Sequence, residues 1–170
     1  MATLTYERMS QVARANCLIV MANLITRRTL LGSLIAACLL HVWAYFAPRT
    51  WYETFPGIGR GWLLRLGPYN EHLVKDMAAL YMAMLVVTVA AWRFADHDRY
   101  VRTVGGAWLA FSCFHLLYHL QHLSMYSSGE RVAIVALLSS LTVISALLLV
   151  PSPRQNAGLR SDTRDNSSMT

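Results

Sequence analysis

Charged residues are scarce in this chain. Asp, Glu, Lys and Arg together make up 14% of its 170 residues, whereas a soluble domain of this size carries roughly 25%. Hydrophobic residues account for 55%, and the mean hydropathy is +0.37. This deficit of charge, together with several long apolar runs, excludes an ordinary soluble domain and predicts an integral membrane protein. The length allows one bundle of helices and leaves no room for a second domain.

Cysteine is also rare, and its distribution excludes two further classes of protein. The three cysteines, Cys17, Cys38 and Cys113, are odd in number, form no C-x-x-C pair and lie in apolar surroundings. Neither a disulfide framework nor a zinc ribbon is therefore expected. A free cysteine in such surroundings behaves as a small hydrophobic residue.

Acidic residues are outnumbered by basic ones, nine against fifteen, which gives a net charge of +6. A basic excess can indicate nucleic-acid binding, but the basic residues here are dispersed over the predicted loops and form no patch. We therefore expect no nucleic-acid partner. In a multi-pass membrane protein the same excess is expected, because cytoplasmic loops collect Lys and Arg.

Four apolar segments are long enough to cross the hydrocarbon core, which takes about 20 residues of helix. They predict an all-α fold in which the transmembrane domain, residues 29–150, is a bundle of four helices. The predicted spans are about 29–47, 72–92, 104–123 and 132–150. Residues 1–28 are expected to form an amphipathic cytoplasmic or interfacial segment, and the polar residues 151–170 a disordered cytoplasmic tail.

The first span has competing interpretations as a targeting signal. Arg27-Arg28 resembles a twin-arginine export signal, and the segment that ends at Cys38 resembles a lipoprotein cleavage box. The apolar run continues beyond both to Phe46 instead of turning polar after a cleavage site, which favours a retained span. Met21 is an alternative start, because the residues after it form a natural leader to a membrane span.

Positive charge sets the predicted orientation. With four spans both termini lie on one side, and ten arginines fall on that side, against four arginines and one lysine on the other. This bias favours cytoplasmic termini in a multi-pass protein of the cytoplasmic (plasma) membrane. Residues 48–72, which are rich in Gly, Pro, Trp and Tyr, then form an interfacial loop on the outer side.

Ionisable residues on three of the predicted spans fall at similar depth in the outer half of the bilayer. They are His41 on the first span, Glu71, His72 and Asp76 at the outer end of the second, and His115, His119 and His122 on the third. The last three follow spacings of four and three, which place them on one stripe of a helix. Ionisable groups within a membrane span are costly and indicate function by default.

A metal site is one interpretation of this cluster. His115 and His119 can present two nitrogens to one divalent transition metal, as paired helical histidines do. Asp76 or Glu71 would then add an oxygen ligand or orient a histidine by a hydrogen bond.

A bound cofactor or lipophilic molecule is a second interpretation. Haem would need axial histidines from two helices, such as His41 and His115. In this interpretation an outward-opening pocket, lined by His41, His72, Asp76, His115 and His119, belongs to a small membrane protein that acts as an accessory subunit.

Two further alternatives assign the cluster differently. A membrane enzyme would use Asp76 with His115 or His119 as acid and base on a lipid-like substrate. In a purely structural or partner-binding subunit the histidines would only bridge helices, and Glu71 and Lys75 would form an interfacial salt pair. The expected partners are the lipid bilayer and either another membrane protein or a second copy of the chain.

One motif carries a family resemblance. It is Gly67-Pro68-Tyr69-Asn70-Glu71-His72-Leu73-Val74-Lys75-Asp76, followed by Leu80-Tyr81, Phe114-His115 and His119, Gln121 and His122. Over roughly residues 30–150 the chain resembles a group of uncharacterised bacterial four-span proteins, which loosely resemble the DoxX-like membrane families. The resemblance implies a compact four-helix bundle in the cytoplasmic membrane and no particular reaction. Sterol-isomerase-like (EXPERA) bundles are similar in size, but their spacing is not matched here.

Overall fold

The computed structural model describes residues 2–57 and 59–152, and the side chains of these residues from Gln11 onward except Ala13. In this part of the chain all regular secondary structure is helical, and there is no strand. Its elements are α1 (Ala2–Phe46), α2 (Pro48–Thr54), α3 (Glu71–Arg93), α4 (Asp98–Gln121) and α5 (Ser128–Leu147), with 3₁₀ turns at Leu63–Arg65 and Leu123–Met125. The all-α prediction is confirmed. Most of the tail predicted as disordered, residues 153–170, lies outside the described residues.

Three of the helices are long and apolar enough to cross a membrane: α1 over Arg14–Phe46, α3 and α5. The prediction of a membrane protein is confirmed at this level. The predicted second span agrees with α3 to within one residue at each end. Asn70 caps this helix, because its side chain accepts a hydrogen bond from the Leu73 amide at 3.1 Å. α4 has 24 residues, enough length for a span, but it is less apolar on average than the other three.

The long helices pack as two antiparallel hairpins. α1 packs chiefly against α3, and α4 packs chiefly against α5. Each helix buries one stripe because its apolar residues recur at spacings of three and four. The main core joins both hairpins and consists of Leu31, Leu34, Cys38, Tyr81, Ala91, Ala95, Val101, Val104, Trp108 and Leu148. Within it Trp108 is fully buried and donates its indole N–H to the Thr88 hydroxyl at 2.9 Å.

A buried charge pair closes one end of the bundle, which we name the inner end after the predicted orientation. Arg27 of α1 binds the Asp98 carboxylate at the start of α4, and both side chains are less than 10% exposed. The same guanidinium donates to the carbonyl oxygens of Ala95 at 3.4 Å and Val150 at 3.1 Å. Arg27 therefore ties together α1, the turn between α3 and α4, and the chain just after α5.

The segment between α1 and α3 covers the opposite end, the outer end, and bridges the two hairpins. Trp51 of α2 packs on α1 and α3, whereas Trp62 packs on α4 and α5, and Phe55 touches both indoles. Arg65 binds both carboxylate oxygens of Glu130 in α5, at 2.6 and 2.9 Å. We name this segment, residues 48–57 and 59–70, the outer cap.

Two helices begin before the spans predicted for them. α1 continues without a break from Ala2 to Phe46, whereas the first span was predicted to begin at about residue 29. The reason is that no Gly or Pro occurs before Gly32. The third span was predicted to begin at about residue 104, whereas α4 begins at Asp98, where a carboxylate is favoured at a helix N-terminus.

Close packing of α4 on α5 depends on Gly105, which gives the first test. A Cβ atom added at Gly105 would lie 2.8 Å from Leu148 Cβ and 3.3 Å from the Ser145 carbonyl oxygen. We expect Gly105→Ala to lower the free energy of unfolding by about 1–3 kcal/mol because the two helices must separate. Denaturant titration of the protein in detergent micelles measures this change.

The neighbouring glycine supplies the control. A Cβ atom at Gly106 meets nothing closer than Leu149 Cδ2 at 4.0 Å. Gly106→Ala should therefore be neutral or stabilise by up to about 1 kcal/mol through helix propensity. Equal losses in the two variants would contradict the described packing.

Candidate functional site

Aromatic and imidazole rings from three helices form a continuous stack beneath the outer cap. His41 of α1 lies parallel to Tyr81 of α3, with ring centroids 3.4 Å apart. Tyr81 meets Phe111 of α4 edge to face at 5.3 Å, and Phe111 stacks on His115 at 5.3 Å. His115 in turn meets His119 at 4.7 Å. We name these five residues the ring stack.

Helical periodicity explains why these side chains meet. His41 follows Leu34 and Cys38 on the buried stripe of α1, at spacings of four and three. Tyr81 extends the buried stripe of α3, and His115 extends the stripe of α4 that contains Trp108. Each helix thus carries its ring toward the junction of the two hairpins, where α3 faces α4.

The imidazole nitrogens of the ring stack are only partly satisfied. His41 Nδ1 donates to the Ala37 carbonyl oxygen at 2.9 Å, which leaves the lone pair of Nε2 available. His119 Nδ1 is buried and has no hydrogen-bond partner among residues 2–57 and 59–152. Leaving a buried polar atom unpaired costs about 1–3 kcal/mol, so this nitrogen indicates a missing partner.

The outer cap contains two further buried nitrogens without a hydrogen-bond partner. The indole nitrogens of Trp51 and Trp62 are buried and find no acceptor within the described ranges. Trp51 lies beside the ring stack, with its ring 5.6 Å from that of His41. Three buried nitrogens without a described partner therefore occur in the outer half of the bundle, two in the cap and one in the ring stack.

His72 and Asp76 lie elsewhere. Their side chains are 87% and 64% exposed, and His72 Nε2 lies 3.3 Å from Asp76 Oδ2. Val74, Ala78 and Tyr81 define the buried face of α3, and Asp76 is five residues from Tyr81, about 140° around the helix. The structure does not bring His72 or Asp76 to the imidazoles of the ring stack.

Glu71 is also directed away from the histidines. It binds Lys75 at 2.8 Å, as expected for residues four apart on a helix surface. His122 donates its Nδ1 proton to the Tyr118 carbonyl oxygen at 2.7 Å and stacks on the Tyr118 ring at 4.2 Å. The contacts of Glu71 and His122 are thus made with residues four positions away in sequence, not with the histidines of the ring stack.

Of the four predicted metal ligands, only His115 and His119 lie next to each other. Within residues 2–57 and 59–152 no three His, Cys, Asp or Glu side chains come together in a group that could hold a metal ion. His115 and His119 are neighbours, but neither Asp76 nor Glu71 joins them. Haem between His41 and His115 meets a different obstacle, because Tyr81 and Phe111 fill the path that links the two imidazoles.

Sequence reasoning missed the aromatic members of the site. Tyr81 was named only within the family motif and Phe111 was not named, although Phe111 lies four residues before His115 and therefore on the same stripe of the helix. Trp51 and Trp62 were assigned to the interface by their type. Nothing local to the sequence showed that the segment carrying them folds back over the histidines.

Comparison of the chain with protein families, with curated proteins and with solved structures finds no match.

The outer cap is held by a buried hydrogen bond that can be tested. Tyr126 is 2% exposed, and its hydroxyl donates to the Trp62 carbonyl oxygen at 3.0 Å. Burial raises the pKa of Tyr126, so the hydroxyl keeps its proton. We expect Tyr126→Phe to destabilise the fold by about 1–3 kcal/mol, because the Trp62 carbonyl loses its donor.

Thermal unfolding in detergent measures this effect, and Tyr100→Phe is the matched control. Tyr100 is 56% exposed, so loss of its hydroxyl should change stability by less than about 0.5 kcal/mol. A Tyr126→Phe protein as stable as the control would show that the cap is not anchored in this way.

Proposed function

We propose that the chain is a four-span membrane protein whose outer half binds a small lipophilic molecule at the ring stack. The fourth span is α4. α4 connects the inner end, where α3 ends, to the outer end, where α5 begins. If α3 and α5 span the membrane, α4 must span it as well. Its 24 residues are about 36 Å long, against about 30 Å of hydrocarbon.

The proposed orientation has both termini in the cytoplasm and the outer cap on the far side of the cytoplasmic membrane. The charge bias of the sequence supports this, because ten arginines fall on the side of the termini. The described cap adds Trp51, Trp62 and Tyr69 at the level where aromatic residues favour the headgroup region. A DoxX-like relationship would agree with such a bundle.

The buried and unpaired Nδ1 of His119 is the observation that carries the proposed binding role. It lies next to a second imidazole, that of His115, with the two ring centroids 4.7 Å apart. Buried polar atoms in folded proteins almost always have a partner. A bound molecule with a hydroxyl or carbonyl group would supply one.

The surroundings favour a lipophilic ligand over a metal or haem. The rings of Tyr81 and Phe111 offer apolar contact, and the imidazoles offer few but specific polar contacts, as is usual for small-molecule sites. A metal would need further ligands from outside the described residues, and haem would need the ring stack to open.

A partner-binding role is the second candidate, supported by a different part of the molecule. Along α1 before Arg27, the apolar side chains of Leu18, Ile19 and Ile25 are more than half exposed. Such a surface would suit an accessory subunit that contacts another membrane protein.

The acid–base alternative has weaker support, because Asp76 is remote from His115 and His119.

Replacement of the paired imidazoles tests the binding role. The full-length protein is extracted in mild detergent and examined by native mass spectrometry, together with metal analysis and an absorption spectrum. We expect one small organic molecule per chain, and at least a tenfold loss of its occupancy in His115→Leu/His119→Leu. The reason is that this variant removes the hydrogen-bonding nitrogens while keeping apolar bulk.

His72→Leu/His97→Leu is the control, since both of these imidazoles are exposed. It should retain the molecule. An unliganded mass for the wild-type protein, or equal occupancy in both double variants, would refute the proposal. A stoichiometric metal or a Soret band that depends on His115 and His119 would replace it with the metal or haem alternative.

A further inference from the structure

A groove at the inner end of the bundle lies far from the ring stack. It has a volume of about 370 Å³, is open to the outside, and lies between the first turns of α4 and the residues just after α5. Its walls are formed by Asp98, Arg99, Arg102, Thr103 and Leu149. None of these residues takes part in the proposed function.

The groove is positively charged despite its aspartate. The Asp98 carboxylate is neutralised from beneath by Arg27, and its Oδ1 also accepts the Ser152 amide at 3.0 Å. Arg99 and Arg102 are exposed, and Arg102 also lies 3.9 Å from Asp98 Oδ2. Because Arg27 already balances the single charge of Asp98, these two arginines leave a net positive charge at the groove. The Arg27–Asp98 pair thus leaves the groove with two guanidinium groups for an anion.

The groove also lies where a membrane surface is expected. α5 is apolar enough to span a bilayer and ends at Leu147, so Leu149 marks the edge of the hydrocarbon region. Trp92, Phe94 and Tyr100 are all at least 40% exposed at this end of the bundle. Aromatic rings of this kind favour the headgroup level.

We propose that this groove binds the phosphodiester headgroup of an anionic phospholipid. Arg99 and Arg102 bind the phosphate oxygens, since guanidinium groups match them geometrically. The Thr103 hydroxyl is within the same wall and donates a further hydrogen bond, and Leu149 contacts the start of an acyl chain. Basic pockets between spans at the cytoplasmic face are typical sites for anionic headgroups.

Lipid retention measured by native mass spectrometry tests the proposal. The full-length protein is reconstituted in vesicles of phosphatidylcholine with or without phosphatidylglycerol, then released into detergent. Phosphatidylglycerol should remain bound to the wild-type protein in preference to phosphatidylcholine. We expect its affinity to fall roughly fivefold for each arginine removed in Arg99→Gln and Arg102→Gln.

Arg14→Gln/Arg93→Gln is the matched control, because it removes the same charge from exposed arginines on the same side of the bundle. It should keep the preference for phosphatidylglycerol, whereas Arg99→Gln/Arg102→Gln should lose it. Thermal unfolding in phosphatidylcholine alone identifies any loss of folding in either variant.

Three results would overturn the proposal. The first is equal retention of phosphatidylglycerol by both double variants, and the second is an equal loss in both, which would mark a general charge effect. The third concerns the source of the phosphate. If inorganic phosphate at the same concentration displaces the lipid and protects the wild-type protein equally from heat, the groove is a site for a free anion.

Discussion

The fold depends on one buried charge pair. Arg27 and Asp98 are 71 positions apart in sequence, and the guanidinium also reaches the carbonyl oxygens of Ala95 and Val150. Every long helix is therefore connected, directly or through an adjacent turn, to a single side chain. An unpaired charge in this position would be costly, so the two hairpins have one favourable way to meet at the inner end. The outer cap then closes the opposite end by aromatic packing and by the Arg65–Glu130 pair.

The charge pair at the inner end and the outer cap at the other end together position the ring stack between the hairpins. His41 arrives with α1, Tyr81 with α3, and the paired imidazoles with α4, so the stack exists only while the hairpins are joined. The core beneath it is complete, with Trp108 fully buried and hydrogen bonded. Above it, nitrogens of the cap and of His119 remain without described partners. At the inner end Asp98 Oδ2 is also buried without a hydrogen bond among the described residues, but it lies 3.9 Å from the Arg102 guanidinium. The three unpaired nitrogens are in the outer half, which is why we assign binding there.

Several parts of this architecture follow from local sequence signals. The all-helical fold and the Glu71–Lys75 pair depend on residues within four positions of one another, and both were predicted. The placement of Asp76 and His115 depends instead on how each helix is rotated about its axis. Depth in the bilayer, which the sequence does indicate, leaves that rotation open. The Arg27–Asp98 pair was missed for a related reason, because a polar residue at the end of a span has the same local appearance whether it is solvated or buried.

A double-mutant cycle on the charge pair tests the central claim most directly. Unfolding free energies would be measured in one detergent for the wild-type protein, Arg27→Met, Asp98→Leu and the double variant. We expect each single variant to lose roughly 3–5 kcal/mol, because an uncompensated charge stays buried. The double variant should be no less stable than either single variant, which requires a coupling energy of at least roughly 3 kcal/mol. Additive losses, with a coupling energy near zero, would contradict an account in which this pair joins the two hairpins.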